Sequence, residues 1–150
     1  MSLSVSSPVT GRVVPLTEVP DPVFAEAMVG PGVAVQPSAE PGTAVAPVTG
    51  TIATLHPHAF VVATDSGRAV LVHLGIDTVK LKGEGFTLHV AKGDQVTAGQ
   101  PVVDWNPGAL AEAGYPTICP VIALDAVPDV VGDPHAEGPI AAGDQLFDWR

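Results

Sequence analysis

The sequence predicts an all-β protein, a flattened barrel or sandwich with one or two short helices, and three observations carry that expectation. Its apolar stretches are short and end at glycine, proline or aspartate, as strands joined by tight turns do. Glycine and proline number 16 each in 150 residues, yet 46% of residues are hydrophobic and only 15% charged, a balance that builds a core and does not suit a disordered chain. Phrases also recur: SPVTGRVVPL at 7–16 echoes APVTGTIATL at 46–55, and AGQPVVDW at 98–105 echoes AGDQLFDW at 142–149. The two spacings differ, so the echo points to a duplication inside one compact body and not to a solenoid.

Taken in order, strands are expected at 8–16, 33–36, 44–48, 50–55, 58–64, 68–74, 86–90, 101–105 and 145–149, each flanked by turn residues. In the echoed pairs a glycine stands at the turn and an apolar strand follows it. DPVFAEAMVG at 21–30 reads as a turn or two of helix, with Asp21 as cap and Pro22 at the first position; PGALAEAG at 107–114, after Asn106, is the second candidate. KGDQVTAGQ at 92–100 reads as a turn, a short strand and another turn. Gly83 and Gly85 bracket Glu84 in what looks like a hairpin turn, without the spacing of a nucleotide-binding loop. Lys80 and Lys82 are expected on a solvated face, His89 on the surface and His135 in a loop. Trp105 and Trp149 are expected to close the sandwich edge, and Cys119 to be a small buried hydrophobe and not a nucleophile.

The length fits one domain over residues 1–150. Six cationic side chains against 16 acidic ones leave a formal charge of −10, which argues against nucleic acid and against an anionic membrane surface. A partner with a basic or apolar docking face fits better. No apolar run is long enough to span a bilayer, the single cysteine cannot form an internal disulfide, and MSLSVSSPVTG is no export signal, so a cytoplasmic protein is expected. No segment looks made for a large permanent interface, and a monomer is expected.

Two strands each deliver a histidine into an apolar setting. In RAVLVHLGID, alternation puts Val70, Val72 and Leu74 on one face and Leu71 with His73 on the other; in HAFVVATD, Ala59, Val61 and Ala63 oppose His58, Phe60 and Val62. A hairpin through TDSG at 64–67 would pair these strands and bring His58 and His73 together, with Phe60, Ile76 and Val79 as an apolar rim. Neutral imidazole is nucleophilic near pH 7 and can attack phosphorus without a separate base, while a second imidazole donates to the phosphoryl oxygens. By pattern alone, two ordinary strand histidines satisfied by local hydrogen bonds explain the same residues equally well. Asp77, four residues after His73, could accept an N–H from a histidine or meet a basic partner; its spacing alone reads more simply as a turn residue.

These residues resemble the glucose-type IIA component of the bacterial phosphoenolpyruvate-dependent sugar phosphotransferase system. DPVFAEAMVGPGVAVQP at 21–37, APVTGTI at 46–52, HAFVVATDSG at 58–67, VHLGIDTVKLKGEGF at 72–86 and KGDQVTAGQPVVDW at 92–105 carry the likeness, in order. The resemblance implies a β-sandwich of the duplicated hybrid-barrel type. It implies that His73 accepts a phosphoryl group from phospho-HPr on its outward ring nitrogen, that His58 hydrogen-bonds to it, and that the group passes to the IIB cysteine of a glucose- or N-acetylglucosamine-type permease on a separate polypeptide. No cofactor is required, and zinc on His58 and His73 would be a secondary property. Where the family often reads TNHAF, this chain has LHPHAF, so the family threonine lacks a counterpart and His56 stands nearby; VGPG replaces VGDG, removing a carboxylate.

Two other classes remain open to the motifs. His56, His58 and His73 could hold zinc as in certain cell-wall peptidases. The APVTG and KGDQVTAGQ phrases also resemble biotinyl and lipoyl carrier domains, but Lys80, Lys82 and Lys92 lack the setting of a modified lysine.

Overall fold

The computed structural model describes residues 2–150. Strands dominate them: β1 (Leu3–Ser6), β2 (Gly11–Val14), β3 (Gly32–Pro37), β4 (Gly42–Val45), β5 (Gly50–His56), β6 (Ala59–Ala63), β7 (Ala69–His73), β8 (Phe86–Leu88), β9 (Gln95–Val96), β10 (Pro101–Trp105), β11 (Cys119–Ala123), β12 (Val131–Gly132), β13 (Gly138–Ile140) and β14 (Gln145–Trp149). Two short helices, α1 (Pro22–Ala25) and α2 (Pro107–Glu112), begin as the sequence suggests. Asp21 Oδ1 accepts from the Val23 N–H at 2.9 Å and Asn106 Oδ1 from the Ala109 N–H at 3.2 Å, each cap being followed by proline at the first helical position.

An eight-stranded sheet runs in the order β13-β2-β3-β11-β7-β6-β5-β9, and two three-stranded sheets, β1-β14-β12 and β4-β10-β8, complete the sandwich. The large sheet is a palindrome about its centre, where Val121 of β11 faces Val72 of β7. Outward from that pair, Val121 faces Val33 of β3 as Val72 faces Phe60 of β6. The Ala123 N–H donates to Pro31 O at 2.8 Å as the Leu74 N–H donates to His58 O at 2.7 Å. The repeated phrases thus occupy equivalent places: Gly11 and Gly50 open β2 and β5, while Trp105 and Trp149 close β10 and β14. Both glycines are demanded by close backbone approach, since a Cβ would lie 2.1 Å from Gln36 O at Gly11 and 2.2 Å from Ala63 O at Gly50.

Strand alternation sends Val13, Val35, Val62, Val70 and Val72 inward, where they meet Val5, Val103 and Phe147 of the smaller sheets in the main core. Trp105 and Trp149 are buried in it, with Phe86 stacked on Trp105 and the Arg68 guanidinium over Trp149. A second cluster, Val19, Phe24, Ala34, Ile76, Ile118 and Ile122, lies on the outer face of the large sheet. It exists because the connection from β2 to β3, residues 15–31, folds back over that face as a 3-10 turn and α1. The equivalent connection from β5 to β6 is Pro57–His58 alone.

Several elements depart from expectation. The stretch 8–16 is a turn followed by the shorter β2, and β1 precedes it. Strand β11 was not anticipated because Pro120 interrupts its apolar run. It nevertheless lies at the sheet centre with all five residues buried, since the ladder to β7 starts at Val121, beyond the residue that lacks an N–H. KGEGF is no hairpin turn: it links a 3-10 turn at Thr78–Leu81 to β8, with Lys82, Gly83 and Gly85 at positive φ.

Candidate functional site

The hairpin expected through TDSG forms. The Thr64 N–H donates to Arg68 O at 2.8 Å, and β6 and β7 pair from Ala63 opposite Ala69 to Ala59 opposite His73. Leu71 and His73 face outward, as alternation requires.

His58 reaches the same face by a different route from the one its sequence suggests. Read as a strand residue on the side of Phe60 and Val62, it would point into the core; its backbone partner is Leu74, which is fully buried. Strand β6 starts one residue later, at Ala59, and His58 occupies the turn after Pro57, where the pleat no longer dictates direction. Its ring lies 5.3 Å from that of His73, centroid to centroid, at 68°.

His73 Nδ1 lies 2.5 Å from the carbonyl oxygen of Gly75. A carbonyl only accepts, so Nδ1 carries the proton and the Nε2 lone pair is the free one. The carbonyl is held in place by its loop. The Ile76 N–H donates to Pro116 O at 2.9 Å, and the buried Thr78 hydroxyl donates to Leu74 O at 2.8 Å. Gly75 has φ +81°, and a Cβ there would meet Pro116 O and Thr78 Cγ2 at 2.8 Å, so only glycine presents its carbonyl this way.

Burial lowers the pKa of His73; the bond to Gly75 and the carboxylates of Asp21 and Asp77 oppose that shift in part. His58 is lowered to about 4 by burial first, then by the neighbouring imidazoles of His73 and His56. Both rings are therefore neutral at pH 7: one offers a nucleophilic nitrogen, the other an N–H.

Asp77 is exposed, sits at φ +62° and opens the 3-10 turn without capping it through its side chain. It acts on His73 through its charge; the bond that fixes the ring comes from Gly75. The expected rim is only partly right. Phe60 and Ile76 are core residues, 0% and 2% exposed, because Phe60 pairs with inward Val72 and Ile76 joins the outer cluster. Val79 is 57% exposed, and α1 contributes Phe24, whose ring centroid is 5.3 Å from that of His73; its neighbour in sequence, Val23, is 39% exposed. Asp21 and Phe24 escaped sequence reasoning as site residues. Their one signal was an aromatic in a helix too short to have a core of its own.

His56, at the end of β5, is exposed and stacks on His58 with centroids 5.7 Å apart at 25°. Among the described residues no group of three or more His, Cys, Asp or Glu is placed to hold a metal ion. Cys119 is fully buried, its Sγ–H donates to Thr117 O at 3.3 Å, and burial pushes its thiol up to about 12, far from a thiolate nucleophile. A cleft of about 590 Å³ lined by Arg12, Glu18, Gln36, Tyr115 and Thr117 contains neither His58 nor His73. His58 and His73 are instead half-buried at the outer face of the large sheet, where the His73 Nε2 lone pair is left without a hydrogen bond by the Gly75 contact.

Comparison with known proteins bears on this geometry. A family model described as "phosphoenolpyruvate-dependent sugar phosphotransferase system, EIIA 1" matches residues 3–127. The chain is 42% identical over 126 residues to the "PTS system mannose-specific EIIBCA component" of Corynebacterium glutamicum. That match covers 83% of this chain and 18% of the relative, so the chain spans under a fifth of its length. Its structure is similar to that of glucose permease IIA from Mycoplasma capricolum, with TM-score 0.90 and 32% identity, over 100% of this chain and 97% of the other.

Proposed function

Because the chain belongs to the EIIA 1 family of the phosphoenolpyruvate-dependent sugar phosphotransferase system, and so is a phosphotransferase of sugar uptake, we propose that His73 is its phosphoryl acceptor and His58 the residue that steadies the group. The donor in this reading is phospho-HPr, and the receiver is the IIB cysteine of a glucose- or N-acetylglucosamine-type permease. The observation that carries the assignment is the bond from His73 Nδ1 to the Gly75 carbonyl, which leaves Nε2 as the nucleophile.

The Nε2 lone pair forms an N–P bond as the bond from phosphorus to the donor imidazole breaks, and the donor ring keeps that electron pair. Phosphorylated at Nε2 and still protonated at Nδ1, the His73 ring is cationic. The Gly75 carbonyl and the carboxylates of Asp21 and Asp77 stabilise that charge where it develops. An N–H of His58 donates to the phosphoryl oxygens. In the second step the thiolate of the receiver forms the S–P bond, and the N–P electrons return to Nε2. Exposed Val23 and Val79, with Asp21 and Asp77, suit partners that present apolar and basic residues.

Transfer requires no cofactor in this reading, and zinc on His58 and His73 would only compete with the phosphoryl group. The working unit is residues 1–150, because Leu146, Phe147 and Trp149 at the far end pack in one core with Val5. No helix of the described residues is long and apolar enough to cross a membrane, and the proposal places the protein as a monomer in the cytoplasm.

The test is phosphoryl transfer from phosphoenolpyruvate through Enzyme I and HPr, read by intact mass under non-acidic conditions. Wild type gains one phosphoryl group, His73→Ala gains none, and His58→Ala accepts the group but passes it on poorly. Absence of label on metal-free wild type would sink the carrier reading.

A further inference from the structure

Among the described residues the side chain of His58 makes no hydrogen bond; its ring lies instead between two other imidazoles. The ladders explain how. His56 of β5 faces Ala59 of β6, and Ala59 in turn faces His73 of β7, so the three form one row across the sheet. The middle position carries only a methyl group, leaving a notch between the outer two rings. The His58 ring lies 5.7 Å from His56, nearly parallel to it, and 5.3 Å from His73, edge on.

We propose that His56 is a positioning residue for phosphoryl transfer: its ring stacks on His58 and holds that imidazole in the notch over Ala59, with its edge toward the phosphoryl group on His73. The inference rests on the carrier reading given above and names a part of the site beyond it. A ring at the tip of a two-residue turn is otherwise free to rotate about both side-chain torsions, and a stacked neighbour removes that freedom before the phosphoryl group arrives. The role calls for a flat ring at residue 56, and neither a proton nor a charge.

That distinction supplies the test. His56 is exposed, so its replacement leaves the core untouched. His56→Ala is expected to accept a phosphoryl group on His73 as fully as wild type but to pass it to the IIB cysteine about tenfold more slowly, and His56→Phe to recover most of that loss. NMR side-chain couplings of His58 in the free protein give a second readout that needs no partner. In wild type and His56→Phe they report a single rotamer about the first side-chain torsion, whereas in His56→Ala they average over several. Unchanged His58 signals in His56→Ala, or a His56→Phe protein as slow as His56→Ala, would overturn the positioning role. An unlabelled wild type would overturn the carrier reading instead, with the NMR comparison still deciding what His56 does.

Discussion

In the half of the large sheet built from β13, β2, β3 and β11, the chain leaves the sheet after β2 and returns at β3 only after residues 15–31; in the half built from β9, β5, β6 and β7, Pro57–His58 joins the equivalent strands directly. The backbones otherwise correspond. By the shared register, Pro31 stands where His58 stands in the other half, and Ile122 where His73 stands. Ile122 is fully buried beneath the longer connection, in the cluster that also holds Phe24 and Ile118. One half of a duplicated frame has thus had its outer face roofed by its own chain and filled with hydrocarbon. The other keeps that face open and carries imidazoles on it. The roof also ends beside the open site, since α1 brings Phe24 and Asp21 to His73. The difference teaches that the site arises from the unequal lengths of two connections as much as from the two histidines.

If covering is what disables the first half, putting a histidine there should fail twice. Ile122→His is expected to lose about 4 kcal/mol of stability in denaturant unfolding, from lost apolar burial plus an unpaired buried ring. It should take up no second phosphoryl group by intact mass; a stable variant that gains two would break the comparison.

The halves should instead behave alike where their backbones approach closely. Gly11→Ala and Gly50→Ala each push a Cβ into a carbonyl of the facing strand, and each should cost about 2 kcal/mol. Strongly unequal losses would show that the two ladders are not equivalent in energy.

The smallest expected effect belongs to the open half alone. Burial, with the neighbouring imidazoles of His73 and His56, lowers His58 from the usual 6.5 to about 4, so folding favours its neutral form. Its contribution to stability is complete above about 6.5, declines as pH falls and is gone below about 4, a change of about 1 kcal/mol once solvent screening of a partly exposed ring is allowed for. An NMR titration should show this histidine charging near pH 4; a midpoint near 6.5 would contradict the packing of the three rings.

Much of this was legible in the chain because it depends on local rules. The SPVTG and APVTG echoes mark strand openings where a backbone carbonyl excludes any Cβ, and only glycine satisfies that. Alternation placed His73 outward, TDSG gave the hairpin, and Asp21-Pro22 and Asn106-Pro107 wrote the helix starts. The misreadings share a cause as well. Alternation carried one residue too far put His58 among strand residues, when Pro57 had already made it a turn. Phe60 and Ile76 were placed at the rim because a sequence shows which residues are apolar but not which side of the sheet faces water. Pro120 hid a central strand, since its harmlessness depends on where the neighbouring ladder begins.

By itself, then, the sequence determined the all-β class, the duplication, the outward placement of His73 and the chain's likeness to a phosphocarrier family, for each is written in spacing, turn chemistry or motif. Only the tertiary structure decided that Gly75 selects the tautomer of His73, that α1 crosses from the other half to flank it, and that Ala59 opens a notch between His56 and His73. Those contacts join residues on different strands, and strand register, which sets them, is a property of the folded sheet and not of any one segment.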